Sequence, residues 1–506
     1  MAKRREDRDK MTRKDPDCNL DGDYRSPIKT FQDLSAATIL SDLKNSRYLQ
    51  LLLSLTVIGA ILRFFNLGYN SLWLDEASTV TYSVQSLPAI WEATAGGEFN
   101  PPLFYWIEHL MLTFGNNELT LRFVPALLGV LTIPVVYCIG KEFINRNVGI
   151  IAATAVTVSP FLVYYSQEAR AYSAMLFFVA LAMLFCLRAL KANDVTNWLL
   201  FGVFSALAFW THFYALVMIG ALVLYSLYEL LPKIRSDISA VKPIVAGGAA
   251  LVILSLPLIL VTLQLFAKRT SSAPTFGIQG IGIIIETFRQ ISGFSDIAMF
   301  ILLILFLVGI IQAYMMDRNK AVFLISLTLL TFLISYVLSY KIPMMPRYLI
   351  FLSIVYFIGI AVSSQLLCRL IGNKAVVYGF MVLFVLLAAM PLAGYYSGYS
   401  KDDWKGFSGQ IAKVTQAGDY VVVAPGYVYQ PFDYYYSNTT DGTIELHADT
   451  AADFAALQQQ KGNATMYLVV TGDIASADPT GGAIAWLESN AKLVSQNTGI
   501  YLFTVS

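Results

Sequence analysis

The amino-acid sequence predicts a polytopic α-helical membrane protein with about eleven transmembrane helices and a small C-terminal α/β domain. Of the 506 residues, 56% are hydrophobic and 14% are charged, whereas soluble domains contain roughly 25% charged residues. Apolar runs close to the roughly 20 residues that cross a bilayer recur along the chain, for example at 251–266, 300–316 and 321–340. A soluble core cannot absorb so much apolar surface, so the expected partner is membrane lipid.

Charge and cysteine usage argue against two other classes of protein. The formal net charge is +1 and runs of like charge are short, so no nucleic-acid partner is expected. The four cysteines show neither CxxC pairing nor ligand spacing, so a structural zinc site is not expected. Residues 1–23 are polar and charged, unlike a cleaved signal peptide, and the first span is expected to act as its own insertion signal.

The positions of lysine and arginine predict the orientation, because short cytoplasmic loops are enriched in these residues. With the N-terminus in the cytoplasm, basic residues at 141–146, 188–191, 233–235 and 318–320 fall on the cytoplasmic side. The long first loop at 67–118 and the C-terminus then lie outside. Some basic residues fall outside against the rule, which favours a functional explanation such as an anionic ligand. They are Lys268, Arg269, Lys341 and Arg347.

The eleven expected spans follow from the apolar segments and this orientation. Their approximate bounds are 48–66, 119–139, 148–165, 172–190, 197–211, a segment ending before Lys233, 243–266, 298–316, 321–340, a segment ending before Arg369, and 375–395. The segment 101–114 is short and contains Glu108 and His109, and is interpreted as an interfacial helix on the outer leaflet. If it crossed the membrane, every later loop would change sides, against the charge bias.

Hydropathy divides the chain into three parts. These are a polar cytoplasmic tail at 1–47, a transmembrane domain at 48–397 and a soluble extracytoplasmic domain at 398–506. In the last part, helices are expected at 402–416, 430–437 and 451–459, and strands at 420–424 and 466–470, which predicts an α/β domain. Asn438-Thr439-Thr440 and Asn463-Ala464-Thr465 match the glycosylation pattern, which supports an outer location only weakly.

Adjacent carboxylates, Asp75 and Glu76, follow the first span in the expected outer loop. One of them can act as a general base while the other orients substrate or binds a cation. The alternative, equally favoured from the residues alone, is that both acids cap a helix N-terminus.

Further polar clusters fall on the same face. Glu168, Arg170 and Tyr172 lie where the third span meets the fourth, and ionisable groups beside apolar segments are functional by default; the alternative is a Glu168–Arg170 pair that holds two helices together. His212 is a candidate ligand or proton carrier, or equally a structural histidine. Arg347 begins the tenth span, and its planar donor fork suits a phosphate, with snorkelling to lipid headgroups as the alternative.

The order of several motifs resembles the C-type membrane glycosyltransferases, and among them the branch of the protein O-mannosyltransferases and the lipid A aminoarabinose transferase. The resemblance covers roughly 50–395 and leaves out the C-terminal domain. The motifs are Asn66-Leu67-Gly68, Leu72-Trp73-Leu74-Asp75-Glu76, Asn100-Pro101-Pro102-Leu103-Phe104-Tyr105-Trp106, Phe114-Gly115, Glu118, Leu121-Arg122-Phe123, Ser166-Gln167-Glu168-Ala169-Arg170-Ala171-Tyr172 and Arg347-Tyr348.

The resemblance implies transfer of a sugar, with inversion, from a dolichyl or undecaprenyl phosphate to an acceptor hydroxyl on the outer face. On this basis Asp75 is the base and Glu76 supports it, while Arg170 and Arg347 hold the donor phosphate. Other residues are expected to bind the donor or substrate. They are Asn100, Arg122, Glu168, Tyr172, His212 and Tyr348.

Several features of the predicted enzyme are left open by the sequence. Phe99 and Asn100 stand where the aminoarabinose transferase has a glutamate and a lysine, so a lysine contact to phosphate is not implied here, and a divalent cation is left open. The acceptor is a protein, a lipid or a glycan. A lipid or solute transporter or flippase is the alternative class, although neither internal repeats nor paired broken spans support it. An oligosaccharyltransferase is less favoured, because the C-terminal domain shows no WWD-type acceptor motif.

Overall fold

The computed structural model describes residues 18–22, 24, 26, 35–436 and 442–505. They form two units, which we describe separately. The helical unit comprises the described parts of Met1–Phe65, Trp91–Phe104 and Phe123–Ala393. The mixed unit comprises the described parts of Asn66–Ile90, Tyr105–Arg122 and Gly394–Ser506.

Most of the described chain is helical. In chain order the helices up to residue 396 are α1 (Ala36–Asn45), α2 (Arg47–Phe64), α3 (Leu74–Ser83), α4 (Leu87–Gly96), α5 (Pro102–Met111), α6 (Glu118–Phe143), α7 (Arg146–Val158), α8 (Pro160–Ser166), α9 (Tyr172–Ala192), α10 (Val195–Thr211), α11 (Ala215–Ser236), α12 (Val241–Arg269), α13 (Ile281–Ile291), α14 (Asp296–Met316), α15 (Arg318–Leu338), α16 (Leu352–Ile371) and α17 (Ala375–Tyr396).

Within the described ranges, nine helices are long and apolar enough to cross a membrane. They are α2, α6, α9, α11, α12, α14, α15, α16 and α17. The pair α7 and α8, bent by 58°, would make a tenth, and α10 is apolar but shorter. Each expected span therefore falls on a helix, which confirms a polytopic helical membrane protein. The count of eleven and the side on which each loop lies stay predictions. The segment 101–114 contains the helix α5, which is not among the nine.

The bend between α7 and α8 depends on Pro160, which has no N–H to donate to the carbonyl of Val156. Arg63, fully buried on α2, supplies the missing donors. Its guanidinium donates to the carbonyl oxygens of Val156 at 2.9 Å and Thr157 at 3.1 Å. A buried carbonyl without a partner is costly, and most of all in lipid. Arg63 lies inside the first apolar run of the sequence. Its burial there is explained by the carbonyl groups that need donors at the bend between α7 and α8.

Glycines allow helices of this unit to approach closely, as is usual where helices pack in lipid. A Cβ atom added at Gly309 of α14 would lie 1.8 Å from the carbonyl oxygen of Gly359 on α16. On α10, a Cβ atom at Gly202 would lie 2.3 Å from the carbonyl oxygen of Gly247 on α12. Backbone therefore packs directly on backbone at both crossings.

The mixed unit contains a five-stranded sheet in the order β2-β1-β3-β5-β4. Its strands are β1 (Tyr420–Ala424), β2 (Ile444–His447), β3 (Met466–Thr471), β4 (Lys492–Asn497) and β5 (Ile500–Val505). The strand β1 runs parallel to β2 and β3, whereas β5 is antiparallel to β3 and β4. Apolar cores line both faces, with Trp404 and Phe432 on one and Phe454 and Leu487 on the other.

The helices after residue 396 are α18 (Trp404–Ile411), α19 (Tyr429–Tyr436), α20 (Ala451–Gln460), α21 (Ile474–Ala477) and α22 (Gly482–Asn490). The expected α/β character of this region is confirmed. The helix expected at 402–416 is shorter: Asp403 caps its start by accepting from the Gly406 N–H, and regular helix ends at Ile411, where a turn over 412–414 follows. The glycosylation motif at 438–440 lies outside the described residues, and Asn463 is exposed in the turn before β3.

We predict that Gly309→Ala destabilises the protein, because the added methyl group overlaps backbone of α16. Overpacking of this kind costs roughly 1–3 kcal/mol. Thermal unfolding in detergent measures the effect. The matched control is Gly379→Ala on α17, where an added Cβ meets nothing within 4 Å. Equal melting temperatures for the two variants would contradict the close crossing of α14 and α16.

Candidate functional site

The acidic motif of the mixed unit occupies the first turn of α3. Trp73 is the N-cap residue, so Asp75 and Glu76 are the second and third residues of the helix. The Glu76 carboxylate reaches back and accepts from the Trp73 N–H at 3.4 Å. The capping alternative therefore applies to Glu76. Asp75 is half-buried, at a helix end where the dipole favours negative charge.

Glu76 is fully buried and binds two cationic side chains. Arg122 of α6 pairs with it through two parallel hydrogen bonds, Nε to Oε1 and Nη2 to Oε2, each 2.7 Å long. Lys401 adds a third contact, Nζ to Oε2 at 3.0 Å. Such paired bonds are short, directional and strong, so the orientation of Glu76 is fixed.

Arg122 also organises the loop that precedes α3. Its terminal nitrogens donate to the carbonyl oxygens of Leu67 at 3.0 Å, Asn70 at 2.8 Å and Ser71 at 2.9 Å. Buried carbonyl groups need such partners. Since this guanidinium is committed to Glu76 and to the loop, we infer that Arg122 positions the acidic motif. The direct substrate contact expected from the sequence stays a prediction.

A second group of polar contacts in the same unit joins this loop to the chain after residue 397. The Tyr435 hydroxyl accepts from the Leu72 N–H at 2.8 Å and donates to Glu118 at 3.0 Å. Ser71 Oγ accepts from the Lys405 N–H at 3.0 Å. The position of the acidic motif therefore depends on residues more than 300 positions away in sequence.

In the helical unit, two guanidinium groups approach the ring of Tyr172, the first residue of α9. The guanidinium carbon of Arg170 lies 6.0 Å from the ring centre and that of Arg347 lies 5.9 Å from it. Arg347 Nε also donates to the Tyr172 hydroxyl at 3.1 Å. Arg170 is 9% exposed. Two guanidinium groups so close to one ring favour negative charge beside them.

Aromatic side chains surround these guanidinium groups. The ring of His212, which ends α10, lies 5.7 Å from that of Tyr172 and 5.4 Å from that of Tyr348. Burial and, in second place, the charges of Arg170 and Arg347 lower the pKa of His212 to about 3. The imidazole is therefore neutral at physiological pH and adds no third positive charge.

Arg269 connects two other segments of this unit. It donates to the carbonyl oxygens of Gly97 at 2.8 Å and Glu98 at 2.7 Å. Its guanidinium carbon also lies 4.6 Å from the ring centre of Phe99 and 5.7 Å from that of Phe213. The segment that carries Asn100 is thus fixed to the one that carries His212. Asn100 itself is buried and donates to Glu98 Oε1 at 3.4 Å.

The segment of Glu168 and Arg170 is anchored by the residues just before it. Gln167 Nε2 donates to the carbonyl oxygens of Arg63 at 3.0 Å and Phe65 at 2.8 Å, and Arg63 Nε donates to Ser166 Oγ at 3.2 Å. Glu168 is buried, and its carbonyl oxygen accepts from the Arg170 N–H at 2.7 Å. The end of α2 therefore fixes the start of α9.

The expected site residues divide between the two units. Asp75, Glu76 and Arg122 share the mixed unit, while Asn100, Glu168, Arg170, Tyr172, His212, Arg347 and Tyr348 lie in the helical unit. Sequence reasoning missed Lys401 and Tyr435, which carry no local signal. It also missed Arg63, although an arginine inside an apolar run is a signal.

The divalent cation left open by the sequence can be tested against the side chains. Among the described residues, no group of three or more His, Cys, Asp and Glu side chains could hold a metal ion. Both Glu76 oxygens already bind Arg122 or Lys401. A metal ion at Glu76 would therefore have to displace these two side chains.

Comparison with known proteins supports the resemblance noted in the sequence. Residues 100–260 match the family of dolichyl-phosphate-mannose-protein mannosyltransferases. An uncharacterized protein of Aquifex aeolicus is 31% identical over 131 residues, which are 24% of this chain and 26% of that protein. The chain therefore spans about a quarter of the length of this relative.

Two solved proteins share the fold. ArnT from Cupriavidus metallidurans, in the apo state, superimposes with a TM-score of 0.60 at 11% identity, over 93% of this chain and 98% of ArnT. The archaeal oligosaccharyltransferase AglB from Archaeoglobus fulgidus, in complex with an inhibitory peptide and a dolichol-phosphate, superimposes with a TM-score of 0.51 at 14% identity. The match covers 92% of this chain and 75% of AglB. ArnT has also been crystallised bound to undecaprenyl phosphate. That structure superimposes with a TM-score of 0.56 at 12% identity, over 89% of this chain and 97% of ArnT.

The chain thus shares its fold with ArnT and AglB. The matched family lies in the branch that the motifs indicated, the one with the protein O-mannosyltransferases and the aminoarabinose transferase. The apolar helices and this shared fold indicate an integral membrane protein.

We predict that Arg122→Gln strongly destabilises the mixed unit, because Glu76 loses its bidentate partner while it remains buried. Removing one partner of a buried ion pair costs about 3–5 kcal/mol. Thermal unfolding of the purified protein measures the loss. The control is Arg289→Gln, which breaks the half-exposed Arg289–Glu286 pair of α13, where about 0–1 kcal/mol is expected. Similar melting temperatures for the two variants would contradict a structural role for Arg122.

Proposed function

We propose that this protein is an inverting glycosyltransferase that moves a sugar from a polyprenyl phosphate to an acceptor hydroxyl on the extracytoplasmic face. The observation that carries the proposal is the pair of guanidinium groups, Arg170 and Arg347, on the ring of Tyr172. It lies in a fold shared with ArnT bound to undecaprenyl phosphate and with AglB in complex with a dolichol-phosphate.

The donor phosphate is the anion that suits this cationic pair. When the bond between the anomeric carbon and the phosphate oxygen breaks, the electron pair leaves with the phosphate. The leaving group therefore gains negative charge, and fixed positive groups stabilise that charge more in a dry site than in water. Arg170 and Arg347 supply donors in a planar fork, and the rings of Tyr172 and Tyr348 lie against these groups. His212 is neutral and adds no further charge.

Asp75 is the base in this proposal. Its carboxylate takes the proton of the acceptor hydroxyl while the hydroxyl oxygen forms the new bond to the anomeric carbon. Glu76, engaged by Arg122 and Lys401, keeps the first turn of α3 in position rather than taking the proton. The extracytoplasmic position of the acidic motif is the part of the proposal that rests on the sequence. The acceptor class and the choice between hexose and pentose are left to the experiment.

A panel of polyprenyl-phosphate sugars tests the function directly. Purified protein is incubated with each donor, and free polyprenyl phosphate is measured with and without peptide, lipid and glycan acceptors. We expect release with one donor and a product of inverted configuration. A transporter or flippase would move a donor across vesicles without releasing polyprenyl phosphate, and that outcome would reject the proposal.

We predict that replacing Arg170 or Arg347 with alanine weakens binding of the donor by roughly tenfold to a hundredfold, the range for a hydrogen bond to a charged group. Replacement with lysine should weaken donor binding less than replacement with alanine, because lysine keeps the positive charge. It should still weaken binding, because lysine lacks the planar donor fork. Binding of the polyprenyl phosphate to folded protein is the measurement. Arg188→Ala, at the other end of α9, is the control. Unchanged affinity in both alanine variants would remove these residues from the phosphate site.

We predict that Asp75→Asn lowers turnover by roughly 10²–10⁴-fold, the range expected for loss of a general base. Asparagine keeps the shape but not the basic oxygen, so donor binding should persist. Steady-state rates and donor affinity are measured together. A residue that only caps α3 predicts another result, since asparagine caps about as well as aspartate. A fully active Asp75→Asn protein would therefore exclude this residue as the base.

A further inference from the structure

The sheet of the mixed unit has a polar edge that the proposed reaction does not use. The strands β1, β2 and β3 are parallel, so all three end at one edge of the sheet, here called the carboxyl edge. After β1 the chain enters α19, which packs on one face of the sheet through Phe432. After β2 and β3 it enters α20 and α22, which pack on the other face through Phe454 and Leu487. Ligands of such sheets bind at the strand ends where neighbouring strands send the chain to opposite faces.

The segments that follow the three strands carry acidic and aromatic side chains. Tyr427 follows β1 and is 45% exposed. Asp449 follows β2 and accepts from the Gly426 N–H at 2.7 Å, so it adjoins the segment of Tyr427. Asp473 follows β3 and is exposed. These side chains flank the end of β1, since β1 lies between β2 and β3 in the sheet.

A third carboxylate reaches the carboxyl edge from the segment before α18. A Cβ atom added at Gly499, in the turn before β5, would overlap Asp402 Oδ1. Ile500, which follows Gly499, is the register partner of Thr471 at the end of β3. Asp402 therefore lies beside the end of β3. Burial, and then the charge of Asp473, raise the pKa of Asp402 to about 6, as expected where acidic groups lie close together.

The side chain of Thr471 places a buried hydroxyl group at the same position. It is 2% exposed, and within the described part of the chain its oxygen has no hydrogen-bond partner. Side chains alternate along a strand, so Thr471 is directed to the same face as Val469, the face on which Trp404 packs. Asp402 approaches from that face, just before Trp404. Buried polar groups are nearly always paired, so this hydroxyl indicates a ligand between β1 and β3.

The charge of the carboxyl edge selects the class of ligand. Among the described residues, no lysine or arginine forms an ion pair with Asp402, Asp449 or Asp473. In the same ranges, these acids do not form a group that could hold a metal ion. Carboxylate oxygens only accept hydrogen bonds, and an exposed tyrosine ring attracts a cation. A ligand that distributes several positively charged donors along the edge therefore fits better than a single ion.

We propose that the carboxyl edge is a docking site for a basic segment of a polypeptide, whose ammonium groups bind the carboxylates of Asp402, Asp449 and Asp473. One ammonium group enters between β1 and β3, where it donates to the Thr471 hydroxyl. The site goes beyond the proposed reaction, because it uses neither the acidic motif nor the donor phosphate.

The test measures binding of a fluorescent oligolysine peptide to the purified full-length protein without any sugar donor. We expect Asp473→Asn to weaken binding by roughly twofold to fivefold, the range for an exposed ion pair, and Asp402→Asn with Asp473→Asn to weaken it further. The matched control is Glu488→Gln, which removes the same charge from an exposed position on α22. Equal losses in Asp473→Asn and Glu488→Gln would overturn the proposal, since the peptide would then respond only to net charge.

Thr471→Val tests the crevice itself, because valine keeps the shape of the side chain and removes the hydroxyl. Its melting temperature should stay close to that of wild type, since the lost hydroxyl has no partner, while its affinity for the peptide should fall. Unchanged affinity would overturn the crevice. If this variant does not fold, Asp402→Asn, on the same face, decides instead. Equal binding of a peptide with acetylated lysines, or of a neutral oligosaccharide, would overturn the basic ligand. Each of these outcomes is independent of whether the protein transfers a sugar.

Discussion

The buried pair of Glu76 and Arg122 is the interaction on which the mixed unit depends. One guanidinium group holds a carboxylate in the first turn of α3 and donates to three loop carbonyl groups. A buried carboxylate is tolerable only with such a partner. The orientation of Asp75 follows from this, because it precedes Glu76 in the same helical turn. Asp75, the residue proposed to take a proton, is therefore positioned by Glu76. The ion pair of Glu76 with Arg122 makes Glu76 itself a poor proton acceptor.

The same physical constraint acts in the helical unit, where the groups that need partners belong to the backbone. Pro160 ends α7 and leaves a carbonyl group without a donor, and Arg63 supplies one. Arg63 and Gln167 then fix the segment that leads to Arg170. In both units an arginine or amide side chain donates to backbone carbonyl groups that have no partner within a regular helix. The residues proposed to act on substrate lie next to these side chains. The structural roles and the proposed chemical roles thus fall to different arginines: Arg63 and Arg122 donate to backbone, whereas Arg170 and Arg347 face one aromatic ring.

Much of this architecture could be predicted from the sequence, and the exceptions have physical reasons. Apolar runs revealed the spans, because lipid imposes a length on every helix that crosses it. Short apolar runs revealed β1 and β3, which are buried on both faces. They did not reveal β2 and β4, the edge strands of the sheet, whose exposed side chains give no apolar pattern. Motif order indicated Asp75 and Glu76, but Lys401 and Tyr435 could not be found, since their partners lie far away in the chain. The capping contact of Glu76 could not be found either, because it required the position of the N-cap residue.

The contacts of Tyr435, Lys401 and Lys405 with the first loop have a consequence for biogenesis. A ribosome delivers residues 66–90 long before residues 400–436, and domains generally fold in the order of their synthesis. The acidic motif nevertheless needs Lys401 at Glu76 and the Tyr435 hydroxyl at Leu72. The first loop, although made early, must therefore wait until the last fifth of the chain emerges. Until then a nascent chain holds its membrane helices without a finished acidic motif, so the proposed base is not yet ordered in an incompletely translated protein.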